Sequence, residues 1–297
     1  MALSFPVSRG GIVVVDKPAG MTSHDVVARI RRLAGTRRVG HGGTLDPMAT
    51  GVLVLGVERA TRLLTYVVGS TKRYLGTIRL GQSTITDDAE GEVTASADAS
   101  GVTDALVAQG IAALTGAIEQ VPSAVSAIKI KGVRAYAKVR KGETVELAAR
   151  PVTVSRFDLL ATRRGDGVID LDVDVECSSG TYIRALARDL GADLKTGGHL
   201  TALRRTAVGG FTLAEAATLE ELAENPINLD ISAAAARLMP RRDATEAETR
   251  TLRHGGPLAT VGIAGPYAVF DPAGEVLAVV SERDGRARPE VVLVGGD

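Results

Sequence analysis

The sequence predicts a two-domain α+β protein. Three features point there. Strand-patterned runs and amphipathic helical stripes are interspersed over residues 1–236, and one pair of runs is joined by a short Arg-Gly-Asp-Gly connection typical of a hairpin. An Ala-rich segment around Ala233 to Arg242 then ends in Pro240-Arg241-Arg242, a composition shift that marks a boundary. Beyond it, over 237–297, only short apolar runs remain, divided by Gly and Pro, which is the pattern of a small β-barrel.

In chain order, Gly11 to Val15 is a β-branched run, and Lys17-Pro18-Ala19-Gly20 breaks it with a turn. A helix follows, capped by Thr22 or Ser23, with Asp25 in its first turn, a stripe of Val26, Val27, Ile30 and Leu33, and Gly35 as terminator. Gly40 to Pro47 is a glycine-rich loop, and Gly51 to Val57 is apolar. Tyr74, Gly76, Ile78 and Leu80 alternate within a strand over Thr71 to Leu80. Asp104 to Leu114 carries a helical stripe, and Val152 to Leu160 pairs with Val168 to Val175 through Arg163 to Gly167. Gly180 to Leu190 is a loop entering a helix. In the second domain the strand-like runs are Thr260 to Ile263, Ala268 to Phe270, Val276 to Val280 and Val291 to Val294.

Composition narrows the chemistry. The 297 residues are 45% hydrophobic and 24% charged, values of a folding chain rather than a disordered one. Cys177 stands alone, so no intrachain disulfide or multi-cysteine metal site can form, and a reducing, cytoplasmic setting is expected. His24, His41, His199 and His254 are too far apart in sequence for a His-x-x-x-His metal helix. No run of about 20 apolar residues suggests a membrane span.

Acids and bases balance at 35 each, so any attraction to nucleic acid must be local. Locally the charges are sorted. Arg29, Arg31, Arg32, Arg37 and Arg38 lie between Asp25 and Asp46 with no acid among them. Lys129, Lys131, Arg134, Lys138, Arg140 and Lys141 lie between Glu119 and Glu143, and Lys195, Arg204 and Arg205 between Asp193 and Glu215, again without acids. Three such windows in a neutral chain predict a positive face suited to phosphates.

Asp46 is the carboxylate that stands out, set among glycines and followed by Pro47, which fixes φ at the next element. Two readings stay open for it: nucleophilic catalysis by a single carboxylate, or the cap of a helix beginning at Pro47. No paired-carboxylate motif, Gly-x-Ser-x-Gly elbow or Walker loop accompanies it.

The run Gly40-His41-Gly42-Gly43-Thr44-Leu45-Asp46-Pro47-Met48-Ala49-Thr50-Gly51 resembles the signature loop of the bacterial tRNA pseudouridine-55 synthases. Asp16-Lys17-Pro18-x-Gly20-Met21-Thr22-Ser23, Lys72-Arg73-Tyr74 and Thr84-x-Thr86-x-Asp88-x-x-Gly91 follow in that family's order. So do Pro122-Ser123-x-x-Ser126-Ala127-x-Lys129, Gly180-Thr181-Tyr182-Ile183-Arg184 and Leu203-Arg204-Arg205. Together they span residues 16 to 205.

The resemblance implies a pseudouridine synthase fold: a catalytic domain over 1–236 with a central mixed, mainly antiparallel sheet, and a PUA-like β-barrel over 237–297. It implies an isomerase acting on the tRNA T-loop without cofactor or metal. Asp46 is then the catalytic carboxylate, whether by adding to ribose or base or by assisting elimination. Arg184 keeps it ionised, since a guanidinium within ~4–6 Å lowers a carboxylate pKa by about one to three units. Tyr74 stacks on the target base. His41 fills the place that the flipped uridine leaves, Tyr182 and Leu203 line the uracil pocket, and Lys17 and Lys129 contact substrate. Residues about 122–150 form a basic insertion over the RNA. The expected partner is the tRNA T-arm, with no obligatory protein partner and a monomeric chain. Rival functions are a tRNA-folding chaperone or RNA-binding module, and a guide-RNA-dependent synthase.

Overall fold

The computed structural model describes residues 10–123, 129–130, 133–134 and 147–294. Along the chain run β1 (Gly11–Lys17), α1 (Ser23–Ala34), β2 (Val39–His41) and β3 (Thr50–Val57), then a 3-10 stretch, Glu58–Leu63, and α2 (Leu64–Gly69). Next come β4 (Lys72–Leu80), β5 (Gln82–Thr84), β6 (Val93–Ser96), α3 (Asp104–Ala113) and β7 (Gly116–Gln120). The short pair β8 (Lys129–Ile130) and β9 (Val133–Arg134) precedes β10 (Arg150–Arg164), β11 (Ile169–Cys177), α4 (Ile183–Asp193) and β12 (Gly198–Val208). The last elements are β13 (Phe211–Thr212), α5 (Ile231–Leu238), β14 (Arg241–Asp243), α6 (Glu246–Arg253), β15 (Tyr267–Phe270), β16 (Val276–Arg283) and β17 (Arg286–Val292). Among the described residues no helix is long and apolar enough to cross a membrane.

Two compact units divide the chain. One contains Met1–Pro47, Gly51–Ser70 and Ala207–Asp297; the other contains Met48–Thr50 and Thr71–Thr206. The first unit is therefore built from both ends of the sequence.

In the first unit β1 pairs antiparallel with β3 from Gly11↔Val57 to Lys17↔Gly51, and β2 pairs with β3. Helix α1 forms where the sequence places it. Thr22 accepts from the Asp25 amide and Asp25 returns a bond to the Thr22 amide, a capping box that contributes about 1 kcal/mol. Gly35, at φ +61°, ends the helix. Val26 and Ile30 are fully buried, while Arg29, Arg31 and Arg32 stay exposed. Ile12, Val14, Val52 and Val54 from the β1–β3 pair pack with Ala234 and Ala235 of α5 and with Ala268, Phe270 and Val279 of the C-terminal strands. Arg59 and Arg62 add polar ties, donating to the carbonyls of Leu293 (3.0 Å) and Val292 (2.6 Å).

The C-terminal strands form a four-stranded sheet ordered β14-β15-β16-β17, with β14 parallel to β15 and the other pairs antiparallel. Thr260 to Ile263, expected as a strand, is irregular. Gly262 sits at φ +76°, and the Glu282 carboxylate takes the Val261 and Gly262 amides that a ladder would have used. The last strand also ends at Val292 rather than covering Val291 to Val294.

The second unit carries strands in the order β12-β4-β11-β10-β7, with each neighbouring pair from β4 to β7 antiparallel. Alternation along β4 sorts its faces. Lys72, Tyr74, Ile78 and Leu80 are buried, whereas Arg73, Thr77 and Arg79 reach Asp174, Asp172 and Asp170 on β11. Of the basic insertion expected over 122–150, residues 124–128, 131–132 and 135–146, with Lys131, Lys138, Arg140 and Lys141, lie outside the described residues. Lys129 is described only as the backbone of β8, opposite Arg134.

Candidate active site

In the first unit the residue on either side of Asp46 is fastened to the N-terminal segment. Ser23 Oγ, 2% exposed, accepts the Leu45 amide at 2.9 Å and donates to the Leu45 carbonyl at 3.1 Å. The Pro47 carbonyl accepts from the Gly20 amide at 2.8 Å and from Lys17 Nζ at 3.1 Å. Asp46 itself is half-buried. A residue held at both neighbours presents its carboxylate with little backbone freedom, which is what a reacting group requires. The chain bends at Pro47 and enters β3 at Thr50, so no helix begins there for Asp46 to cap.

Lys17, expected at the substrate, is fully buried, and its ammonium donates to the carbonyls of Pro18 (2.9 Å), Met21 (2.6 Å) and Pro47 (3.1 Å). Burying an ammonium is costly without such partners. Lys17 is thus a peg between the first strand, the turn after it and the Asp46 loop.

The two glycines before Thr44 have separate causes. A Cβ on Gly42 would stand 2.3 Å from Val67 Cγ1, and Gly43 adopts φ +131°, which side chains disfavour. His41, half-buried, receives the Gly43 amide on Nδ1 at 3.4 Å and meets the His24 ring edge-on at 5.5 Å between centroids.

The second unit gathers the remaining site residues. Tyr74, 9% exposed, projects from β4 on the same face as Gly76. A Cβ on Gly76 would lie 3.5 Å from Leu203 Cδ1, so Leu203 of β12 packs over that glycine, one same-face position from Tyr74. Tyr182 is the N-cap of α4, and the side-chain amide of Gln120 grips its backbone twice: the Tyr182 amide donates to Oε1 at 2.8 Å, and Nε2 donates to the Tyr182 carbonyl at 3.1 Å.

Arg184, 4% exposed, donates through Nη1 to the Thr86 carbonyl at 2.7 Å and stands 3.4 Å from Asp88 Oδ2. Asp88, 2% exposed, is shaped by its own motif: Thr86 Oγ1 and the Glu90 amide donate to Oδ1, and Thr84 Oγ1 donates to the Asp88 carbonyl. The Leu200 amide donates to the Asp87 carbonyl, which stitches this turn to β12 three residues before Leu203.

Electrostatics separates the buried groups. Burial, reinforced by Arg205, pushes the Lys72 ammonium down to about 8, and burial raises the Cys177 thiol to about 11, so that thiol stays protonated and unreactive. Burial raises the Asp87 carboxyl above its usual range. Among the described residues no group of three or more His, Cys, Asp or Glu side chains is arranged to hold a metal ion.

Residues 31–183 match the N-terminal domain of the TruB family of pseudouridylate synthases, 184–240 the C-terminal domain of tRNA pseudouridylate synthase B, and 239–294 the C-terminal part of tRNA pseudouridine synthase II. The chain belongs to the TruB family. It is accordingly a pseudouridine synthase, an isomerase. TruB relatives include the tRNA pseudouridine synthase B of Paenarthrobacter aurescens (strain TC1), 60% identical over 297 residues and covering 96% of each chain. That of Nocardia farcinica (strain IFM 10152) is 61% identical over 285 residues, 96% of this chain and 93% of the relative. A chain in the crystal structure of a Cbf5-Nop10-Gar1 complex superposes with a TM-score of 0.74 over 97% of this chain and 86% of that one. Its 23% identity shows the shared α+β fold.

Three supports in this TruB chain went unassigned by sequence reasoning. Ser23 was legible as a helix cap and as part of a motif, and Asp88 only as part of a motif. Gln120 has no local signal, because its partner Tyr182 lies 62 positions away.

Proposed function

We propose that this TruB protein converts uridine 55 of the tRNA T-loop to pseudouridine, with Asp46 as the essential catalytic carboxylate. The C1′–N1 glycosidic bond breaks, the uracil rotates, a C1′–C5 bond forms, C5 gives up its proton and N1 takes one, so the reaction needs no other reactant. The observation that carries the reading is the two-sided clamp on the Asp46 loop, by Ser23 on Leu45 and by Lys17 and Gly20 on Pro47. Such a clamp suits a carboxylate that must meet an everted base.

The other roles follow the resemblance. Tyr74 stacks on the base, Tyr182 and Leu203 line its pocket, and His41 takes the place the base leaves in the RNA. Arg184, held by Asp88 and the Thr86 carbonyl, supplies the guanidinium that the resemblance assigns as the partner of Asp46. Lys129 and the basic residues about it contact RNA phosphates, and the C-terminal sheet serves as a PUA-like RNA-binding surface. The relatives named tRNA pseudouridine synthase B support tRNA as the substrate. On this reading the chain acts alone, in the cytoplasm.

Incubating the purified chain with an unmodified tRNA transcript and mapping pseudouridine by position tests this. Conversion at position 55 alone is expected. An unmodified T-loop, or conversion only when a guide RNA is added, contradicts it.

A further inference from the structure

Two arginines one turn apart on α4 hold the same short turn of the second unit. Arg184 reaches the Thr86 carbonyl and Asp88, and Arg188, four residues on and therefore on the same helix face, stands 3.4 Å from Asp87 Oδ2. Arg188 also reaches a second element. Its Nη2 donates at 2.7 Å to the carbonyl of Val121, the residue just past β7, while its Nε donates to Asp189 Oδ1 at 2.8 Å. All three guanidinium nitrogens are engaged, in a planar fork that a lysine cannot imitate.

What Arg188 joins is what the site residues lean on. Val121 follows Gln120, whose amide grips the Tyr182 backbone twice, and Asp87 sits between Thr86 and Asp88, two partners of Arg184. One side chain thus ties the support of Tyr182 to the support of Arg184. The turn itself is under constraint. Asp87 adopts φ +59°, a left-handed conformation that strains a non-glycine residue and persists where surrounding contacts fix it, and its carbonyl accepts the Leu200 amide at 3.1 Å. Its carboxylate is held against a cost as well. Burial is the largest influence and raises its pKa; the Ser123 hydroxyl and the guanidiniums of Arg188 and Arg184 favour the charged form, Asp189 opposes it, and burial outweighs the favourable groups. A carboxyl raised on folding lowers stability as pH climbs from its unfolded to its folded pKa, so above that window the ionised Asp87 weakens the fold. Asp170 is the opposite case. Arg79 donates two bonds of 2.8 Å to it and lowers its pKa, so its charge adds stability at neutral pH. Charges held against such a cost are characteristic of working sites.

We infer that Arg188 is a positioning residue for the isomerase: clamped on Asp87 and on the Val121 carbonyl, it fixes Tyr182 and Arg184 relative to each other without itself touching the substrate. The inference rests on the proposed function for the part that Tyr182 and Arg184 take in the reaction. Its contribution is to rate rather than to affinity.

The test sets Asp87→Asn against Asp170→Asn, the same substitution in two arginine-paired aspartates of one unit. Asparagine tolerates the left-handed backbone at position 87, so the loss there is one of charge. At about pH 7.5 Asp87→Asn should form pseudouridine about tenfold more slowly in a single turnover on an unmodified tRNA transcript, with Kd within about twofold of wild type. Its urea midpoint should be no lower than that of wild type. Asp170→Asn should do the reverse, losing midpoint and keeping rate. As pH falls, wild-type Asp87 takes up its proton, so the ratio of wild-type to Asp87→Asn rates should fall towards one, while ionisations elsewhere in the site are common to both proteins and cancel. In an Arg188→Met background, adding Asp87→Asn should change the rate by less than about twofold, because the two residues act as one unit. Hydrogen exchange of the Tyr182 amide reads the positioning without chemistry and should be about tenfold faster in Asp87→Asn.

A wild-type rate in Asp87→Asn, a rate ratio that stays flat with pH, or additive effects of Arg188→Met and Asp87→Asn overturns the inference. So does a parallel loss of rate and urea midpoint in Asp87→Asn, which would make the pair a structural tie. If the wild type makes no pseudouridine while exchange at Tyr182 still quickens, the positioning role stands and the proposed function fails; conversion at position 55 with rate and exchange unmoved sinks the positioning role alone.

Discussion

Ser23→Ala isolates the clamp on the Asp46 loop. The substitution removes one buried oxygen that serves both backbone groups of Leu45. Each group left buried without a partner costs about 1–3 kcal/mol, so the loop relaxes until part of that cost is recovered. Alanine's higher helix propensity returns a few tenths of a kcal/mol at the start of α1, and the net stability loss is about 2 kcal/mol. The larger effect is positional. A reacting group displaced by about 1 Å loses up to ~100-fold in rate, so single-turnover pseudouridine formation should fall about 10- to 100-fold. Affinity for tRNA should stay within about threefold, because Ser23 faces the protein interior. Urea unfolding, filter binding and rapid-quench kinetics on one transcript separate these quantities. A rate within about twofold of wild type, alongside the expected loss of stability, would refute the positioning role and leave Ser23 a structural hydrogen bond.

Other outcomes follow from the same geometry. Gln120→Met keeps the side chain's length but removes both bonds to the Tyr182 backbone, and should cost about 2 kcal/mol in stability and roughly tenfold in kcat/KM; intact kcat/KM would detach Tyr182 from the reaction. Gly42→Ala drives a methyl to 2.3 Å from Val67 Cγ1 and should destabilise by about 1–3 kcal/mol, and a double-mutant cycle with Val67→Ala should recover at least ~1 kcal/mol of it. Stability should also rise with pH above about 8. There Lys72 is losing its proton in the folded chain while the unfolded chain keeps one up to its ordinary pKa of 10.5, and the whole term is worth about 3 kcal/mol. Above pH 9 Cys177 opposes the rise, since the unfolded thiol ionises and the folded one holds its proton to about 11. Urea midpoints from pH 7.5 to 9 should therefore climb in the wild type and stay flat in Lys72→Met; parallel curves would place the lysine elsewhere.

Local chemistry was legible in the sequence and long-range chemistry was not. Thr22, Asp25 and Gly35 announce α1 because capping acts within four residues. The buried alternation of Tyr74, Ile78 and Leu80 announces β4 in the same way. The loop carrying Asp46 could be picked out by its glycines and proline, yet its rigidity comes from Ser23 and Lys17, 22 and 30 positions from the groups they hold. The burial of Lys17 was not legible, because lysines are rarely fully buried and nothing in Asp16-Lys17-Pro18 tells an inward ammonium from an outward one. Thr260 to Ile263 has strand-forming residues, but the Glu282 carboxylate claims its amides.

The account turns on one carboxylate, and one comparison tests it most directly: position-resolved pseudouridine mapping on an unmodified tRNA transcript with wild type and Asp46→Asn side by side, with tRNA affinity measured for both. The prediction is full conversion of uridine 55 by the wild type, none by Asp46→Asn, and affinities within severalfold of each other. Continued turnover by Asp46→Asn would contradict it.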